Sequence, residues 1–159
     1  MKTYNESYIG QIQSKFGANM VMVPGVRVIV RDASGKILLI RYSDTGEWGI
    51  PEGSIELYES VIDAARREVF ELTGLSVGLL KPFAFYSEPR YQMEFAEGET
   101  LQQFTMAFFT EDFSGELLKE SDEISDIGFY FFNSLPELGP SCVETVQDLF
   151  RYEGSIILK

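Results

Sequence analysis

The chain has 159 residues, 45% of them hydrophobic, and a formal charge of −12 from 25 acidic and 13 basic side chains. That length suits one domain with a core large enough to stand without disulfides, and the single Cys142 cannot form an intrachain one. The acidic balance and the lack of any Lys/Arg-rich stretch exclude a surface that tracks polymeric DNA or RNA, and no segment approaches the roughly 20 apolar residues of a membrane helix. No long apolar run with a small-residue cleavage site stands near the start, so a cytoplasmic protein is expected.

Tyr8, Ile9, Ile12 and Phe16 fall at helical spacing and predict a short amphipathic helix over residues 5–16, with Asn5 as its cap. Its apolar face is compatible with a homodimer. Val26, Val28 and Val30 alternate with Arg27, Ile29 and Arg31, and Asp32-Ala-Ser-Gly35 reads as a turn before residues 36–42, which predicts a hairpin. Gly46, Gly49, Pro51 and Gly53 make residues 43–58 a structured loop. A helix is predicted over residues 60–73, with Ser60 and Asp63 spaced as a capping box and Gly74 as its left-handed stop. Strands are predicted at 75–85, 101–111 and 127–132, with a polar loop through Glu94, Glu97 and Glu99 joining the first two. A last helix over 141–152 is announced by Ser141 and Glu144, again spaced as a capping box.

The chemistry concentrates between Gly53 and Leu75. At about 100° per residue, Glu68 and Glu71 stand about 60° apart around their helix, so both carboxylates can address one hard cation. Magnesium favours oxygen ligands and retains several waters, which suits two helix carboxylates. Zinc is disfavoured in a chain without histidine.

Gly53, Glu59, Arg67, Glu68, Val69, Glu71, Gly74 and Leu75 stand in the register of the Nudix box, and over residues 24–150 the chain resembles the Nudix hydrolase family. Leu38-Leu39-Ile40-Arg41, Trp48-Gly49-Ile50-Pro51 and Leu135-Pro136 add to the likeness. The resemblance implies an α/β fold, a Nudix-like α/β/α sandwich with a mixed β-sheet between the two long helices. It implies a Nudix domain over 21–159, with residues 1–20 as a helical extension packed on it, a single domain overall. It implies metal-dependent hydrolysis of a phosphoanhydride bond in a nucleoside diphosphate linked to another moiety, a sugar nucleotide such as ADP-ribose, or in a nucleoside triphosphate.

In the residues of this chain, the resemblance makes Gly53, Glu68 and Glu71 the ligands of Mg2+, with Mn2+ as the alternative, and Arg67 the residue that orients Glu59. Glu68 or Glu123 would be the base, Glu120 standing behind Glu123 as a candidate. Arg41 and Trp48 are the candidate substrate-binding residues, Trp48 dividing between a ligand platform and the core. Taken singly, the glutamates read as the solvated face of a helix, and Arg67 with Glu59 as a surface ion pair. Their common register favours the site.

Three positions depart from the family pattern. Leu72 stands where the second glutamate of a Glu-Glu pair belongs, Glu52 replaces the first glycine of Pro-Gly-Gly, and Tyr58 replaces a glycine before Glu59. On the helical wheel Leu72 falls near Ala65 and Val69 and can join the core stripe. The alternative reading is a Nudix-like nucleotide-binding module or regulator without turnover. A purely structural interaction domain is a third, and it predicts no binding of magnesium or nucleotide.

Overall fold

The computed structural model describes residues 3–17, 19–94, 100–119 and 121–159. Its strands are β1 (Val21–Val30), β2 (Ile37–Tyr42), β3 (Trp48–Gly49), β4 (Glu52–Ser54), β5 (Ser76–Val77), β6 (Lys81–Tyr86), β7 (Gln92–Glu94), β8 (Thr100–Thr110), β9 (Phe113–Ser114), β10 (Ile124–Tyr130) and β11 (Ile157–Leu158). Its α-helices are α1 (Tyr8–Phe16), α2 (Val61–Thr73) and α3 (Pro140–Arg151). The main sheet runs β11-β6-β8-β1-β4, with β7 also paired to β8, and a second sheet runs β10-β2-β3. The main sheet is mixed, because β1 pairs with β8 in parallel and with β4 antiparallel.

Strand β1 is buried on both faces, and its alternation sorts two layers. Val26, Val28 and Val30 pack with Ala64, Ala65 and Val69 of α2. Ile29 joins a cluster with Cys142 and Val146 of α3. The two helices therefore cover opposite faces, as expected for the sandwich. No helix among the described residues is long and apolar enough to cross a membrane.

The expected hairpin of β1 and β2 opens immediately after its turn. Asp32 Oδ1 accepts from the backbone N–H groups of Ser34 and Lys36, but the ladder holds only the bridge between Arg31 and Ile37. Both strands carry apolar side chains on both faces, so each is buried in a different sheet, β1 beside β8 and β2 beside β10. The expected strand over 75–85 is likewise two strands. Asp112 takes the backbone N–H groups of Gly78 and Leu79, breaking the run, so that β5 pairs with β9 and β6 with β8.

Local capping follows the sequence in one helix and departs from it in two. Ser60 caps α2 by accepting from the Asp63 N–H at 3.1 Å, and Gly74 adopts φ 80° at the other end. Helix α1 starts later than expected, with Ser7 as cap after a 3-10 turn at Tyr4–Glu6, and it buries Ile9 and Gln13 while Phe16 is exposed. Helix α3 begins at Pro140 without a side-chain cap. Glu144 does not close the expected box with Ser141, because Arg90 at 2.9 Å and Lys159 at 2.9 Å hold its carboxylate instead. Among the loop glutamates, Glu97 and Glu99 lie outside the described residues.

Candidate active site

Strand β4 and helix α2 meet at Gly53. A Cβ at that position would overlap the Glu68 carboxyl group, so only glycine lets the helix carboxylate approach the strand backbone. Arg67, one residue earlier, then gathers the acidic side chains. Its Nε and Nη2 donate to the two oxygens of Glu59 at 2.7 and 3.0 Å, a bidentate pair. Its Nη1 donates to Glu68 Oε1 at 2.6 Å and approaches Glu71 Oε2 at 3.3 Å, and Nη2 also reaches the Ser54 carbonyl at 2.9 Å. One guanidinium thus ties three glutamates and β4 together.

These groups line a cleft of about 640 Å³ together with Glu123, Leu72 and Tyr42. Glu123 arrives from the loop before β10, anchored where its carbonyl accepts from the Ser43 N–H at 2.8 Å. Glu120 lies outside the described residues. Burial pushes the Glu68 carboxyl up to about 7, over the opposing pull of Arg67 and with the repulsion of Glu71 and Glu59. Glu123 is also raised, first by burial and then by Glu71 and Asp44.

The raised Glu68 carboxyl has a consequence for stability in the cation-free protein. Its folded value of about 7 exceeds the reference value of 4.5, so the folded state binds the extra proton. The resulting stability is complete below pH 4.5 and is lost as pH rises through about 7. Thermal melts in chelator should therefore show Tm falling between about pH 5 and 8, and Glu68→Gln should flatten that slope. An unchanged slope in the variant would assign the effect to another group.

The donor set consists of carboxylates and a backbone carbonyl, which fits a hard divalent cation. Among the described residues no three acidic, cysteine or histidine side chains converge as a complete metal cage. Magnesium does not require one, since it keeps several waters and takes one or two carboxylates. Glu68 and Glu71, beside the Gly53 backbone, are the residues that could hold it.

Leu72 is 3% exposed and packs with Ile40 and Ile124 while lining the floor of the cleft. It fills the core position that the helical wheel assigns. Tyr58 has φ 66° and a fully exposed side chain, which explains why glycine suits this place in the family pattern. A left-handed residue with a Cβ costs about 1–2 kcal/mol, of which the greater chain entropy of unfolded glycine offsets about 0.5–1. Tyr58→Gly should raise Tm by roughly 2 °C, whereas Tyr58→Ala, which keeps the Cβ, should not. Equal melts for the glycine and alanine variants would count against strain at this turn.

The structure brings Gly53, Glu59, Arg67, Glu68, Glu71 and Glu123 together, but leaves Arg41 and Trp48 outside the lining of the cleft. Position 41 shares strand parity with Ile37 and Leu39, which face the α3 layer, while Leu38 faces α2. Arg41 Nε instead donates to the Gly46 carbonyl at 2.9 Å. Trp48 packs edge-on to Tyr130, with centroids 5.2 Å apart, against the apolar cluster that includes α3. Sequence reasoning missed Tyr4, Ser7 and Ile9, which wall the cleft from the N-terminal segment. Tyr8 N–H fastens that segment by donating to Glu56 Oε2 at 3.0 Å. The available signal was Glu56 itself, an acidic residue in the loop before α2.

Comparison with known proteins places these features in context. A family model described as NUDIX domain matches residues 21–147. The chain is 37% identical over 70 residues to a putative 8-oxo-dGTP diphosphatase of Bacillus subtilis (strain 168), covering 44% of this chain and 47% of that protein, less than half of its length. It is 28% identical over 126 residues to an ADP-ribose pyrophosphatase of Methanocaldococcus jannaschii, covering 77% of this chain and 70% of that protein. A MutT NUDIX hydrolase from Burkholderia pseudomallei shares the fold, with TM-score 0.68, 23% identity, and coverage of 81% of this chain and 98% of the other.

Proposed function

The chain belongs to the Nudix family, and from that premise we propose that it is a pyrophosphohydrolase acting on a phosphoanhydride bond in a nucleoside diphosphate linked to another moiety or in a nucleoside triphosphate. The observation that carries this reading is the Arg67 fork, which ties Glu59, Glu68 and Glu71 together on the wall of one cleft, with Glu68 against Gly53. Residues 21–159 form the catalytic domain in this reading, and residues 1–20 an extension that walls the cleft. The partner is a nucleotide-like small molecule in the cytoplasm, since the charge of −12 opposes any nucleic-acid polymer.

Gly53, Glu68 and Glu71 would hold magnesium, or manganese in its place, and the bound ion would neutralise phosphate charge and lower the pKa of a water. Arg67 keeps Glu59 and the α2 carboxylates in fixed rotamers, so the site needs little rearrangement when substrate arrives. Glu68, on the cleft wall against Gly53, is the candidate base that accepts the water's proton. Glu123 is the alternative base from across the cleft. In the reaction, water oxygen forms a bond to one phosphorus as the bond from that phosphorus to the bridging oxygen breaks. The water's proton passes to the carboxylate, and the second phosphate leaves.

Product release from a panel of nucleoside diphosphate sugars, dinucleoside polyphosphates and nucleoside triphosphates, with magnesium or manganese and with chelator, tests the reading. Turnover that needs the cation and selects a compound class supports it. Cation-independent turnover excludes the metal assignment. Nucleotide binding with no turnover on any compound replaces the hydrolase with a binding module, the reading that Leu72 in the place of a carboxylate favours.

A further inference from the structure

Beside the acidic cleft lies a second cavity of about 160 Å³. Gly25 of β1 forms part of its lining without a side chain, and Val23, Leu101, Thr105 and Ile9 wall it, with Glu52 at its edge. Ile9, Glu52, Gly53 and Ser54 line both cavities, so a molecule with its phosphates in the cleft can place its next group here.

Glu52 is held in an unusual way. It pairs across β1 and β4 with Arg27, which is 2% exposed and donates from Nε to Glu52 Oε2 at 2.7 Å. Arg27 is oriented in turn by Nη1 donating to Thr145 Oγ1 at 2.8 Å and by the Tyr86 ring, 5.7 Å away. Tyr86 donates to buried Asp148 at 2.9 Å, and Lys159 bridges Asp148 and Glu144. Arg27 Nη2 has no hydrogen-bond partner among the described residues. Burying a guanidinium with an orphaned donor is costly, and a buried ion pair gives little net stability in return. What the arrangement does achieve is to tie Glu52 Oε2 to a buried guanidinium. Its Oε2 is committed to Arg27, its Oε1 accepts no hydrogen bond among the described residues, and its side chain remains 35% exposed.

We propose that Glu52 is the specificity-determining residue for the nucleoside half of the substrate, with Arg27 as its positioning residue. Oε1 accepts a hydrogen bond from an N–H of the base or an O–H of the sugar seated in the apolar cavity. This rests on the nucleotide reading above, and it concerns a position where the family pattern carries glycine.

Titration calorimetry of AMP, GMP, CMP, UMP and their 2′-deoxy counterparts against wild type, Glu52→Gln, Glu52→Gly and Arg27→Lys tests it. Wild type should prefer one nucleoside, and Glu52→Gln should weaken that nucleotide about tenfold to a hundredfold, the loss of a hydrogen bond to a charged group, while the preference collapses. If the 2′-deoxy form loses the same factor and Glu52→Gln no longer distinguishes the pair, the donor is the sugar hydroxyl. If the deoxy form binds as well and the loss in Glu52→Gln falls on one base, the donor is on that base, whereas an equal loss on every base marks the 3′ hydroxyl, which selects none of these nucleotides and overturns the proposal. Arg27→Lys, which keeps the charge without the fork, should reproduce part of the loss, in turnover assays through KM more than kcat. Should it fail to fold, the two Glu52 variants carry the test. A wild-type preference kept in Glu52→Gln, or a wild type that prefers neither one base nor ribose over 2′-deoxyribose, overturns the proposal. Because binding is read without turnover, an inactive wild type would sink the hydrolase reading and leave this one standing.

Discussion

Glu68→Gln is expected to lower kcat/KM by about three orders of magnitude, within the usual contribution of a positioned general base. The fold should survive, because the amide oxygen of glutamine can still accept from Arg67 Nη1, as Glu68 Oε1 does at 2.6 Å, and no volume is lost at Gly53. Turnover on the best compound of the panel, with melts recorded beside it, is the measurement. The companion Glu123→Gln separates the two candidate bases. A loss of about tenfold there leaves Glu68 as base, whereas a loss as large as that of Glu68→Gln, with wild-type cation binding, moves the role across the cleft. A Glu68→Gln enzyme that keeps more than about a tenth of its activity would remove Glu68 from the chemistry.

Arg67→Met should give the largest change in stability. It removes the guanidinium that Glu59, Glu68 and Glu71 share, side chains that are 15%, 14% and 24% exposed, and with it the hydrogen bonds that tie the three carboxylates together. Removing one partner of a buried pair costs about 3–5 kcal/mol, and the partial exposure of this cluster places the expectation near 3. That corresponds to a fall in Tm of roughly 6–12 °C in chelator. Losing Arg67 removes the pull that opposes the raised Glu68 carboxyl, so stability of the variant should be greatest in acid and decline with rising pH more steeply than that of wild type. Magnesium should restore part of the loss through preferential binding to the folded state. Equal melts for wild type and variant in chelator would show that the carboxylates stay apart without the guanidinium.

Much of the cleft was written locally. Glu68, Glu71 and Arg67 lie within two turns of one helix, so their relative placement follows from helical geometry, and Ser60 and Gly74 set where that helix begins and ends. Leu72 illustrates the same point, since its burial was legible on the wheel beside Ala65 and Val69, although its neighbours Ile40 and Ile124 were not. Glu123 was named through the family resemblance, as the glutamate in the loop before the last strand, and the fold puts it on the lining of the cleft.

Long-range pairing was not legible. An alternating run identifies a strand and its two faces but not its neighbour, and β1 left its local partner for β8, about eighty residues further on. Arg41 and Trp48 followed the parity of strands whose outward face the sequence could not name. The Glu52 to Arg27 pair depends on β4 lying antiparallel to β1, and the N-terminal segment lines the cleft through long-range contacts, the Tyr8 N–H on Glu56 and the burial of Ile9 among them. The sequence by itself determined the helix that carries the acidic chemistry, because hydrogen bonds between residues three and four apart fix such geometry without reference to the rest of the chain. Only the tertiary structure decided what surrounds that helix, because strand partners are chosen by the burial of both faces, a property of the whole core.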